Sequence, residues 1–136
     1  MNQERTATLF QKFPHLYRGR HLPLTHNLMS WGFQCGDGWF AILYQLSQQI
    51  TEYAAHHPDV QQVMAVQVKE KFGTLRFHVR GADAHIRALI DAAEVQSAQL
   101  CELDGTSGRL RVRQGHYQTL CDDHARTMGA HDAAPR

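Results

Sequence analysis

Only three cysteines occur among the 136 residues, Cys35, Cys101 and Cys121, too few and too scattered for a disulfide framework, so any chemistry they carry is thiolate or metal chemistry. No apolar run approaches the roughly 20 residues that a helical membrane span needs. The opening MNQERTATLF lacks the basic-then-apolar plan of a secretory signal, and a cytoplasmic location with no membrane partner is expected. An excess of one charge is also missing. A formal net charge of +1 supplies no global attraction to nucleic acid, so any electrostatic preference must come from local patches. There is no internal repeat and no low-complexity tract before the tail. What is plentiful is histidine, at ten residues; many titrate near neutrality, so the surface charge rises as pH falls. Length and composition suit a single domain over residues 1–136.

The stretch VMAVQVKEKFGTLRFHVR, residues 63–80, organises the rest. Met64, Val66 and Val68 alternate with polar residues, and so do Leu75, Phe77 and Val79, the period-two pattern of two half-buried strands. Pairing Val68 with Leu75, Val66 with Phe77 and Met64 with Val79 puts all six on one face of an antiparallel hairpin. Lys71-Phe72 lacks the residues of a two-residue primed turn, which predicts a four-residue loop ending at Gly73. The other face carries Gln67, Lys69, Thr74, Arg76, His78 and Arg80, and is mainly basic. A lone ribbon is marginal, so its apolar face requires cover from helices on either side in sequence.

Two long helices are predicted to supply that cover. One runs from Trp39 to about Ala55, with Phe40, Leu43, Leu46, Ile50 and Tyr53 or Ala54 as its stripe, and the other from Ala84 to about Leu100, with Ile86, Leu89, Ile90, Ala93, Ser97 and Leu100. Residues 3–13 form a short amphipathic helix with Ala7, Phe10 and Phe13 turned inward, stopped at Pro14. HLYRGRHLPL reads as a surface connector or a basic contact for an acidic partner. In the bend FQCGDGWF, Asp37 is placed to cap the following helix, and Cys35, with no adjacent base, is assigned to packing. The expected class is α+β: a central antiparallel hairpin covered by two long helices over residues 1–100, a degenerate zinc-ribbon or treble-clef-like unit over 101–128, and a frayed tail over 129–136.

That C-terminal unit is the one constellation with chemical spacing. CELDGTSGRLRVRQGHYQTLCDDH contains Cys-x-x-Asp-Gly, a small arginine-faced hairpin, and Cys-x-x-His. Ligands three apart on a knuckle or a first helical turn can point at one ion, so Cys101, Asp104, Cys121 and His124 are candidate zinc ligands. Carboxylate is a legitimate but weaker donor than thiolate. Two alternatives stand beside this: a metal-free unit in which Asp104 and Gly105 simply make a turn, and a site in which His116 takes the place of Asp104.

FPHLYRG, CGDGWF, VKEKFGTLRF and the final Cys-x-x-His together resemble a widespread, largely uncharacterised family of small bacterial and phage-encoded proteins. Its members carry CGDGW, a KEKFG-x-LRF-type stretch and a C-terminal Cys-x-x-Cys-Gly followed by Leu-Cys-x-x-His. The resemblance spans most of residues 13–124. It implies that Cys101, Cys121 and His124 stand at zinc positions, while Asp104 departs from the family's cysteine.

No enzyme is expected, because two cysteines, an aspartate and a histidine around one ion form a closed site with no open position for substrate. Two binding classes remain. One is a protein-binding inhibitor, an immunity protein that neutralises a co-encoded antibacterial toxin by covering its active site, with Arg76, His78, Arg80, Arg109 and Arg111 as the partner-binding set. The other is a zinc-ribbon-type, nucleic-acid-associated accessory protein of phage origin; it needs many phosphate contacts, which the small net charge disfavours.

Overall fold

Strand pairing in the middle of the chain rests on two residues in left-handed backbone conformation, Phe72 (φ 54°) and Gly73 (φ 88°), which join β2 (Met64–Lys71) to β3 (Thr74–Arg80). This is a two-residue turn, where four residues were expected, and positive φ at both positions matches the right-handed strand twist. A phenylalanine resists that conformation, and one local and one distant side chain hold the turn in it. The Glu70 carboxylate accepts the Gly73 N–H at 2.9 Å, and the Thr119 hydroxyl donates to the Gly73 carbonyl at 2.7 Å.

The shorter turn moves the register. Val68 stands opposite Phe77 and Glu70 opposite Leu75, so the expected Val68–Leu75 and Val66–Phe77 pairs do not form. Because the slip is two residues, parity survives, and Val68, Leu75 and Phe77 remain buried. An irregularity between Ala65 and Gln67 then changes the phase: Ala65 pairs with Val79 and Met64 with Arg80 instead of Val79. Ala65 is fully buried, while Val66 is only half-buried. The adjoining chain accounts for this kink, since the Ala65 N–H donates to the Leu16 carbonyl at 2.9 Å and the Val66 carbonyl accepts the Leu28 N–H at 2.7 Å.

The computed structural model describes residues 1–133 and is α+β, with two small sheets. In the first, β1 (Phe33–Gln34) lies parallel to β2, giving the order β1-β2-β3. Over it, α2 (Phe40–Ala55) buries Ile42, Leu43, Leu46 and Ile50, and α3 (Ala84–Ser97) buries Ile86, Ile90 and Ala93, in one core with Val68, Leu75 and Phe77. Helix α3 starts on Asp83, whose side chain accepts the Ile86 N–H. It also shields the free edge of β3, where Ser97 Oγ and Glu94 Oε2 accept the N–H groups of Leu75 and Phe77, each at 2.9 Å.

The N-terminal third differs more from expectation. Helix α1 (Gln3–Lys12) seats Leu9, fully buried, while Ala7 and Phe10 are half-buried. Asp37 does not cap α2. It accepts from the backbone and side chain of Asn2 at 2.7 and 3.3 Å and pairs with Arg5 at 3.5 Å, fastening α1 to the glycine bend. The segment after Pro14 is only in part a surface connector: Leu16 and Tyr17 are buried in the core, while residues 21–24 are exposed. Arg18 is spent inside the molecule, donating to the carbonyls of His15, Gln62 and Val63.

The second sheet has the order β5-β4-β6, with β4 (Arg109–Arg113) between β5 (His116–Leu120) and β6 (His131–Asp132); α4 (Asp122–Met128) joins β5 to β6. The tail therefore does not fray at residue 129. Gly129, with φ 69°, ends α4 in a left-handed cap, and the chain turns back to pair His131 and Asp132 with Val112 and Arg111. The remainder of the expected frayed tail, residues 134–136, lies outside the described residues.

Candidate metal centre

Directly after α3 the chain makes a tight knuckle: the Cys101 N–H donates to the Thr106 carbonyl at 2.7 Å, and the Gly105 N–H to the Cys101 carbonyl at 2.8 Å. Asp104 divides its carboxylate. Oδ1 accepts the N–H and the hydroxyl of Thr106 at 2.9 and 2.6 Å, while Oδ2 lies 3.5 Å from Cys121 Sγ and 3.2 Å from His124 Nδ1. The turn role and the ligand-facing role of Asp104, which the sequence left as alternatives, thus occupy different oxygens of one side chain.

Cys121 stands at the N-cap of α4 and accepts the His124 N–H at 3.4 Å. That first helical turn brings Cys121 Sγ to 3.2 Å from His124 Nδ1, and Cys101 Sγ lies 3.6 Å from the same nitrogen. The four donor atoms of Cys101, Asp104, Cys121 and His124 all fall within 4.8 Å of one another, close enough to hold a metal ion. His116 is not among them; it sits at the far end of the β4–β5 hairpin, opposite Arg113.

Environment sorts these groups. Burial pushes the Cys101 thiol above its ordinary range. The hydrogen bonds from the Thr106 hydroxyl and then its N–H hold the Asp104 carboxyl well below the usual carboxylate range, so this donor is an anion at neutral pH. Cys35, away from the cluster, is buried, and its thiol is pushed up to about 12, first by burial and then by the charge of Glu102. Its assignment to packing agrees with that environment.

Glu102 and Thr106 are supporting residues that sequence reasoning did not single out, and Gly38, expected to supply backbone freedom, is instead needed for close approach to the knuckle. The Gly38 N–H donates to the Glu102 carbonyl at 2.8 Å, the Gly36 N–H to Glu102 Oε2 at 2.9 Å, and the Trp39 indole N–H to the Leu100 carbonyl at 3.0 Å. The glycine bend is therefore a cradle for the knuckle's backbone. A run of small residues beside a tryptophan was the only local signal, and nothing in it names the distant partner.

The arginines also divide. Arg111 is not available to a partner: its side chain is 8% exposed and bonds Asp122 at 2.6 Å and Asp132 at 3.1 Å. Arg109 is exposed but pairs with Asp132 at 3.0 Å and more loosely with Asp122 at 3.7 Å. Bonding to Arg111 first, and then the charge of Arg109, hold the Asp122 carboxyl below its ordinary range. Arg76, His78 and Arg80 stay together on the outer face of β3.

Set against protein families, curated proteins and solved structures, the chain has no match. Among the described residues no helix is long and apolar enough to cross a membrane.

Proposed function

We propose that this protein is a non-catalytic, protein-binding inhibitor with a zinc-stapled C-terminal unit, acting as an immunity protein that neutralises a co-encoded toxin by covering its active site. The observation that carries the zinc-stapled part of this reading is the convergence of four donors. Tetrahedral zinc, with bonds of about 2.3 Å to sulfur and about 2.0 Å to nitrogen or oxygen, requires sulfur–nitrogen separations of roughly 3.5 Å and nitrogen–oxygen separations of roughly 3.3 Å. The separations here are 3.6 and 3.2 Å for the two sulfurs to His124, and 3.2 Å for His124 to Asp104.

Such an ion would take all four bonds from side chains, with no vertex for a substrate or an activated water, and its work would be structural. Thr106 would orient the carboxylate as a supporting residue. A knuckle, a hairpin and the first turn of a helix support reading this unit as a degenerate zinc-ribbon or treble-clef-like one. The staple would tie α4 to the knuckle, and through Glu102 to the glycine bend, making a rigid platform under the β2–β3 hairpin. Arg76, His78 and Arg80 form no ion pair among the described residues, unlike Arg109 and Arg111, which is what supports a partner-binding role for them.

Elemental analysis of gently purified protein is expected to give up to one zinc per chain, removed by chelators with loss of stability. Purification from the native host is expected to return one protein at equal stoichiometry, encoded beside this chain and toxic without it. Steeply salt-dependent binding to arbitrary nucleic acid with no protein partner would replace this reading by that of a nucleic-acid-associated accessory protein.

A further inference from the structure

The outer face of β2 and β3 presents Lys69, Lys71, Arg76 and Arg80 beside His78, and neither strand contributes an acidic residue to that face. None of these cations is ion-paired within the described residues, whereas Arg109 and Arg111 of the second sheet both are. The formal net charge of +1 for the whole chain conceals this patch, because its four cations are offset by carboxylates that lie off this face, Asp91 and Glu94 on the α3 side among them.

Arg76 is the centre of it. Its Nε is buried and has no hydrogen-bond partner, as is also true of Arg111 Nε and Asn27 Nδ2, a condition that ordered water can relieve. Arg76 lines three shallow depressions. One, of about 280 Å³, is bounded by Lys69, Lys71, Phe72 and His78. Another lies toward α3, against Asp91, Glu94 and Val95.

At the tip of the hairpin Phe72 is 58% exposed, with Lys71 Nζ 5.5 Å from the centre of its ring. It occupies a left-handed backbone position that a bulky side chain resists, φ 54°. Strain of this kind persists where surrounding contacts over-determine it, and it collects at binding sites. Here the Glu70 and Thr119 hydrogen bonds to Gly73 hold the turn from behind. The backbone that carries the ring is thus held in place, so little backbone ordering is left to be done on association.

We infer that the β2–β3 hairpin is the contact finger of this protein and that its occupant is an acidic cleft on a partner protein, with Phe72 seated in an apolar pocket and a partner carboxylate on Arg76. The inference rests on the protein-partner reading above and adds to it Phe72, Lys69 and Lys71. An aromatic anchor beside arginine is the composition that dominates binding energy at protein interfaces, and a half-buried arginine with no ion pair among the described residues can take a carboxylate. A nucleic-acid strand fits the face less well. Apart from the His78 imidazole, Phe72 is the one exposed ring on it among the described residues, and Asp91 and Glu94 border Arg76 on the α3 side, where a phosphate backbone would have to continue.

The test uses the full chain, isotopically labelled for amide spectra, with two probes: a short oligo-glutamate peptide carrying a terminal leucine, and an oligo-thymidylate of matching charge. The peptide is expected to shift the amides of residues 69–78, and Phe72→Gly or Arg76→Ala to weaken it about tenfold or more. Phe72→Gly should do so while raising the melting temperature, since it relieves the strained position; a merely structural residue would lower both. Tighter binding of oligo-thymidylate at the same amides, or peptide binding that ignores both substitutions, would overturn the inference. A partner recovered from the host that binds both variants undiminished would also overturn it and leave the inhibitor reading standing. Loss of the inhibitor reading alone would show as intact peptide shifts with no partner recovered.

Discussion

Gly38 lies so close to Cys101 that a Cβ built on it would stand 2.1 Å from the Cys101 carbonyl oxygen, with the Gly105 nitrogen at 2.6 Å. Both obstacles are backbone, so they cannot swing aside. Gly38→Ala is therefore expected to cost about 2 kcal/mol or more, at the upper part of the range for overpacked sites, and to loosen the four-donor cluster on the far side of the knuckle. Chemical denaturation and chelator competition check the two effects. A normal denaturation midpoint would mean the bend and the knuckle are not locked together.

For the metal centre, two substitutions should move retention in opposite directions. Asp104→Cys supplies a stronger donor and should slow loss of zinc to a chelator. Thr106→Ala removes both the hydroxyl bond and its orienting effect on the carboxylate, and should weaken retention roughly 10- to 100-fold. If neither changes retention, residue 104 does not face an ion.

Two arginines that look alike in sequence should behave differently. Arg111→Ala removes a buried guanidinium bonded to Asp122 and Asp132, and is expected to destabilise by about 1 to 3 kcal/mol, discounted toward the lower end because both carboxylates are exposed. Arg80→Glu touches no internal bond and should leave stability within about 0.5 kcal/mol. Equal melting temperatures for the two variants would contradict the ion-pair arrangement of the second sheet.

Asp83 should govern part of the acid limb of stability. The Ile86 N–H, and then the Tyr53 hydroxyl, hold its carboxyl below the ordinary range in the folded chain. A depressed folded value means that the contribution is present above the usual aspartate range, near pH 4, and is lost as pH falls through the folded value. Asp83→Asn keeps a side-chain cap for α3 but removes the titration. Its melting temperature should fall less steeply than that of the parent below about pH 4. Parallel curves for the two proteins would place the acid sensitivity elsewhere.

What the chain spells out locally is what period and spacing can carry. The stripes Leu43, Leu46, Ile50 and Ile86, Ile90, Ala93 were legible because burial repeats with the helical turn, and the inward set Val68, Leu75, Phe77 because alternation survives an even slip of register. The grouping of Cys101, Asp104, Cys121 and His124 was legible in part for the same reason: each pair sits three residues apart on its own knuckle or turn. Everything that required two distant segments to meet was decided by the tertiary structure. Phe72 takes a turn position its side chain disfavours because Glu70 and Thr119 bond Gly73. Asp37 serves Asn2 and Arg5 rather than a helix, and Arg111 is buried because α4 and β6 bring it two carboxylates. Local patterns encode which face a residue turns inward, but hydrogen bonds and ion pairs are chosen by whichever polar group packing delivers within about 3 Å, and sequence proximity does not measure that distance.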